Sequence, residues 1–242
     1  VDPEVNAFVT VTGDLAMEQA KLAEESWQAG IAGDLLGVPI SIKDLTATKG
    51  IRTTRGSKLY EHWVPDNDAI FVERVKNAGS IMLGKTNSPE FGWKGETTNP
   101  VSGTTRNPWN LDRTSGGSTG GGAAAIAAGM GPLTQGGDGA GSIRIPSAFC
   151  GIYGLKPSFA LVPAYPPSAI ADVAHLGPMT RTVADAALLL NVVAGEDPRD
   201  RFSWSSNLDY LTFCDTRSLA GWRIAWSADL GYAAIDPGVL AI

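Results

Sequence analysis

Apolar residues recur at helical spacing from Leu15 to Trp27, with a Lys- and Glu-rich face opposite, and predict an amphipathic helix. Val38 to Ile42 is a short apolar run after Gly37 and predicts a buried strand ending at Lys43. Asp68 to Ala78 predicts a second helix, with Asp68 as its N-cap and Gly79 as its stop. Ile81-Met82-Leu83 predicts a strand, and residues 84–117, dense in Gly, Pro, Asn and Thr, predict a long irregular connection. Connections of that length within a compact domain are usually functional. Gly120 to Ala128 predicts a central helix of small side chains that packs close to its neighbours. Leu133-Thr134-Gln135 and Ile152 to Leu155 predict short strands, Thr182 to Val193 a strongly apolar helix, and Arg223 to Trp226 the start of a final strand. Strands alternating with helices predict an α/β sheet, and no internal repeat is visible.

Composition narrows the classes. Of 242 residues, 43% are hydrophobic and only 18% charged, which favours a buried core over disorder. The net charge of −6, with no Lys/Arg-rich run, argues against nucleic acid as the main ligand. No segment reaches the roughly 18 uninterrupted apolar residues of a membrane span, and no signal-peptide pattern opens the chain. Cys150 and Cys214 make no disulfide framework and lie in no zinc-ligand spacing, so a reducing, cytoplasmic setting fits, with one disulfide left open. The chain opens at Val1-Asp2-Pro3 without Met and stops just after Asp236-Pro237, which reads as a helix start; a longer native protein is expected.

The 29 glycines cluster at 116–122 and 129–141, as site loops rather than a repeat. Three chemistries compete for them. Gly79-Ser80-Ile81-Met82-Leu83-Gly84-Lys85-Thr86 fits the phosphate-loop pattern, but Ile, Met and Leu inside it favour a buried strand, and Pro89 interrupts the helix that should follow. Gly116-Gly117-Ser118-Thr119-Gly120 fits a nucleophile elbow, with Asp138 and His175 following in the right order. It lacks the apolar strand that should carry it. In the third reading, Lys43, Ser118 and Ser142 share one site, with a neutral lysine as base in place of histidine. Half neutrality at pH 8 needs a pKa depressed by about 2.4 units, roughly 3 kcal/mol, and burial at a strand end acts in that direction. Taken alone, Lys43 reads as a strand-end lysine with its head in solvent, and either serine as part of a plain loop.

The combination departs from those plain readings. Gly37 to Asp44 (GVPISIKD), Gly84 to Gly92 (GKTNSPEFG), Gly116 to Gly121 (GGSTGG) and Gly141 to Ser158 (GSIRIPSAFCGIYGLKPS) closely resemble the amidase signature family, in its order and at about its spacing. Asn107-Pro108-Trp109 and Gly177-Pro178-Met179-Thr180-Arg181 are also similar to family segments. The resemblance covers residues 1–242 and implies a mixed twisted β-sheet flanked by helices on both faces, in a domain that continues past residue 242. It implies Ser142 as nucleophile, Ser118 as a bridging serine after a cis peptide at Gly117–Ser118, Lys43 as base, and an oxyanion site from the N–H groups of Gly139, Ala140, Gly141 and Ser142. No metal or cofactor is needed. Asp138 and Arg144 are expected to hold the loop rather than to take part in the chemistry.

Thr119 stands where the family commonly has a second serine, and Gly139-Ala140 where Thr-Gly is common; the Ala140 methyl bears on substrate size more than on reaction type. The implied activity is hydrolysis of a small-molecule carboxamide. The alternative within the fold is the glutaminase subunit of a tRNA-dependent amidotransferase; outside it stand a nucleotide-binding module using Lys85 and an inactive binding scaffold. A homo-oligomer stays open.

Overall fold

The computed structural model describes residues 1–215 and 218–241. Six strands form its centre: β1 (Phe8–Val11), β2 (Pro39–Lys43), β3 (Ile81–Thr86), β8 (Leu133–Asp138), β9 (Tyr153–Gly154) and β10 (His175–Thr180). They make one mixed sheet in the order β1-β3-β2-β8-β10-β9. β2 runs parallel to both neighbours, with Lys43 opposite Thr86 and Ile42 opposite both Lys85 and Gln135. β1 joins β3 antiparallel, and β10 joins β8 and β9 antiparallel.

The period of two along a strand sends alternate side chains of β2 to opposite faces. Ile40 and Ile42 enter a core with Phe71, Val72 and Val75 of α3 (Ile70–Asn77) and Leu189, Leu190 and Val193 of α6 (Val183–Val193). Ser41 and Lys43 therefore face the other side. There, Ala123, Ala124 and Ala125 of α4 (Gly120–Ala127) pack with Met179 and Cys150. α4 has no room for larger residues: a Cβ on Gly121 would lie 2.4 Å from Asn87 N and 2.5 Å from Ala7 O. The sheet is thus covered by helices on both faces, as expected. α2 (Gly13–Gln28) matches the first amphipathic pattern, and α1 (Asp2–Val5) precedes it.

Several expectations change. Asp68 does not cap α3. Ala69 holds the N-cap position, and the Asp68 carboxylate instead accepts from Lys49 N and Lys76 Nζ. β3 extends through Gly84–Thr86, and the connection after it carries two small hairpins, β4 (Thr98–Asn99) with β5 (Gly103–Thr104) and β6 (Arg106–Asn107) with β7 (Asn110–Thr114). β8 runs to Asp138, further than its apolar residues indicate. Glycine suits its middle, because a Cβ on Gly136 would strike Ile143 at 2.6 Å and Met179 at 2.7 Å. α5 (Arg144–Cys150) and β10 were not anticipated; Pro146, Gly177 and Pro178 obscure their patterns. Residues 223–226 form no strand: they are exposed, irregular chain that leads to the short α7 (Pro237–Leu240), capped by Asp236 as its sequence suggests.

Candidate active site

Lys43 ends the central strand with only 2% of its surface exposed. Its Nζ donates to Ser118 Oγ at 2.7 Å and to the Gly137 carbonyl at 3.3 Å. Burial pulls its pKa from 10.5 down to about 7, against the opposing pull of Asp138. Its backbone is held as firmly. Lys43 N donates to Gln135 Oε1 at 3.2 Å, and Lys43 O accepts from Thr46 N at 3.0 Å.

Ser118 lies just before α4, after a cis Gly117–Ser118 peptide, and is buried. Glycine is required at position 117 because a Cβ there would sit 2.7 Å from the Glu96 backbone N, C and O. Thr119 N donates to Ser142 O at 3.2 Å, so the segment bearing Ser118 is tied directly to the backbone of Ser142. Ser142 is half-buried, and its hydroxyl makes no hydrogen bond among the described residues.

Asp138, at the end of β8, organises the loop that carries Ser142. Oδ1 accepts from Gly141 N and Arg144 Nη2, and Oδ2 from Ile143 N, Arg144 N and Arg144 Nε. Burial pushes its pKa up, but the Arg144 and backbone hydrogen bonds outweigh it and hold the carboxyl well below the usual carboxylate range. The Gly141 N–H is therefore engaged. Those of Gly139, Ala140 and Ser142 meet no acceptor among the described residues and remain available to a ligand.

The competing readings do not assemble. Lys85 sits fully buried in β3 rather than in a phosphate loop. The His175 ring nitrogen Nδ1 lies 3.2 Å from Asp138 O and 2.9 Å from Val173 O, with the Phe159 ring against it, and makes no hydrogen bond to Ser118. Cys150 is buried and its thiol is pushed up to about 12, which removes it as a nucleophile. Among the described residues no cluster of His, Cys, Asp and Glu suits a metal. Gln135 carries no local signal in the sequence, and its role as a backbone partner of Lys43 follows only from strand register, whereas Thr46 meets Lys43 O through a tight turn at the end of β2.

The sequence model of the family described as Amidase matches residues 1–242. The chain belongs to the amidase family. Among its relatives, the chain is 46% identical over 242 residues to the A subunit of glutamyl-tRNA(Gln) amidotransferase from Carboxydothermus hydrogenoformans, covering 99% of the chain and 50% of that protein. It is 43% identical over 244 residues to an acylamidase of Rhodococcus erythropolis, covering 100% of the chain and 51% of the relative. A bacterial aryl acylamidase of the amidase signature family superposes with a TM-score of 0.80 at 39% identity, over 87% of this chain and 45% of that one. The chain thus spans about half the length of the curated relatives it matches. Among the described residues no helix is long and apolar enough to cross a membrane.

Proposed function

We propose that this chain is the N-terminal and central part of an amide hydrolase that cleaves the C–N bond of a small-molecule carboxamide through Ser142, Ser118 and Lys43. The observation that carries the reading is the buried Lys43 amine, 2.7 Å from Ser118 Oγ. With a pKa of about 7, roughly nine-tenths of this amine is neutral at pH 8.

In this mechanism neutral Lys43 accepts the Ser118 proton as Ser118 takes that of Ser142, and Ser142 Oγ attacks the amide carbonyl. The negative oxygen of the tetrahedral intermediate meets the N–H groups of Gly139, Ala140 and Ser142, each such donor lowering the barrier by about 3 kcal/mol. The proton returns through Ser118 to the leaving amine as the C–N bond breaks. Water, deprotonated along the same path, then hydrolyses the acyl-enzyme. No step calls for a cofactor. Cys150 and Cys214 are both free thiols, which suits the reducing cytoplasm.

A second reading is favoured by the 46% identity to an amidotransferase component: the same acyl-enzyme chemistry used to release ammonia from glutamine for a partner. The full-length protein separates the two when assayed on acyl anilides and on glutamine, with and without amidotransferase partner subunits. Partner-independent anilide hydrolysis lost in Ser142→Ala supports the hydrolase, whereas glutamine turnover dependent on the partners supports the second reading.

A further inference from the structure

The chain buries a second lysine that the proposed chemistry does not use. Lys85 is 0% exposed and lies in β3 opposite Ile42, so it projects to the face away from Lys43. Its Nζ donates to Thr46 O, to Thr48 Oγ1 at 2.7 Å and to Thr53 Oγ1 at 3.1 Å. Both hydroxyls direct their own protons elsewhere, Thr48 to Thr46 O at 3.2 Å and Thr53 to Ile51 O at 3.0 Å. Three acceptors around one nitrogen match an ammonium; a neutral amine would turn its lone pair against an oxygen lone pair. Lys43, by contrast, has two partners, one of them a hydroxyl able to donate, and tolerates losing its proton.

Burial pulls the Lys85 pKa down to about 7, as it does for Lys43; Asp44 and Asp68 oppose that, while Lys76 and Arg55 add to it. Geometry separates the two lysines: three acceptors close around Lys85 Nζ, whereas Lys43 Nζ meets a hydroxyl that can donate to it. Asp44 is 0% exposed; burial pushes its carboxyl pKa up, while the Lys85 charge and the hydrogen bonds it accepts from Thr54 Oγ1 and Thr54 N pull it back, which makes it the buried acid facing Lys85. The cluster also reaches the Lys43 backbone. Thr46, whose carbonyl accepts from Lys85, donates its N–H to Lys43 O and its hydroxyl to Gln135 Oε1, the same oxygen that accepts from Lys43 N.

We propose that Lys85 is a permanently charged positioning residue that clamps the Asp44–Thr46 turn and thereby holds Lys43 in line with Ser118. The inference rests on the reading of Lys43 as the base. Its test uses the full-length protein, with Lys43→Ala as control. Lys85→Met is expected to lower kcat at least ten-fold with KM within two-fold. It should also move the acid limb of kcat/KM upward, because a loosened Lys43 is better hydrated and the Asp44 carboxylate is left uncompensated. A folded Lys85→Met protein within two-fold of wild type in kcat, with an unmoved limb, overturns the proposal.

If Lys85→Met does not fold, Thr48→Val, which removes one of the three acceptors of Lys85 Nζ, should give a smaller loss of about three-fold and the same direction of limb shift; no change in either overturns the clamp. Independently of turnover, 15N-lysine NMR should show the Lys85 ammonium protonated through pH 9 while Lys43 titrates near neutrality. Titration of Lys85 below pH 8 overturns its permanent charge. Full activity of Lys43→Ala would instead sink the base assignment, a result distinct from failure at Lys85 alone.

Discussion

At the residue scale, one buried amine sets the pH behaviour. Lys43 must be neutral to accept a proton, and its neutral fraction rises as pH rises through about 7. kcat/KM should therefore climb with unit slope below pH 7 and level off above pH 8, and Lys43→Ala should cost about 10³-fold in a steady-state assay. The same shift acts on stability. Because the folded-state pKa lies below the free value of 10.5, the unfolded chain binds more protons between those pH values, and stability rises with pH across that window. Urea midpoints at pH 7 and pH 9 should show a larger gain for wild type than for Lys43→Met. A gain of equal size in both proteins would mean that Lys43 keeps its ordinary pKa. Gly117 makes a second prediction at this scale: Gly117→Ala drives a Cβ into the Glu96 backbone and should destabilise the protein by about 1–3 kcal/mol in urea unfolding, with Ser118 displaced and turnover lost.

At the element scale, the site is where three strand or helix ends meet: the end of β2 supplies Lys43, the start of α4 follows Ser118, and the end of β8 supplies Asp138. Asp138 ties the Gly139–Arg144 segment through the backbone N–H groups of Gly141, Ile143 and Arg144 and through the Arg144 guanidinium. Asp138→Asn should cost about 2–3 kcal/mol of stability, since bonds to an ionised acceptor are the stronger ones. It also removes the charge that raises the Lys43 pKa, so the acid limb of whatever activity remains should move to lower pH, the opposite direction from Lys85→Met.

How far the sequence disclosed these elements follows from their composition. β2, α3, α4 and α6 carry strong apolar patterns and were legible. β10, with a Gly-Pro pair inside it, and α5, with an internal proline, were hidden because local propensity opposed what the sheet and its packing impose. Lys43, Ser118 and Ser142 were legible only as a set of motifs. That Gln135 braces the Lys43 backbone and holds the Thr46 hydroxyl depends on register between distant segments and left no local trace; that Gly141 N–H belongs to Asp138 is a local bond, set by a loop conformation the sequence alone did not disclose.

At the scale of the whole molecule, burial is uneven. The sheet and its two cores lie within residues 1–195, whereas Trp222, Ile224, Trp226 and Tyr232 are 69%, 71%, 88% and 83% exposed. If the chain is the first half of a longer amidase domain, those side chains pack against the remainder. Amide hydrogen exchange in residues 218–233 should then be fast in the 242-residue chain and protected in the full-length protein, while β2 and β8 stay protected in both. Equal, fast exchange in both forms would contradict that packing. The central claim, that a neutral lysine relayed by one serine activates another, is met most directly by labelling the full-length protein with a fluorophosphonate and mapping the adduct. The account predicts a single adduct on Ser142, abolished by Lys43→Ala and unaffected by His175→Ala; an adduct on Ser118 that depends on His175, or labelling of Ser142 undiminished without Lys43, would contradict it.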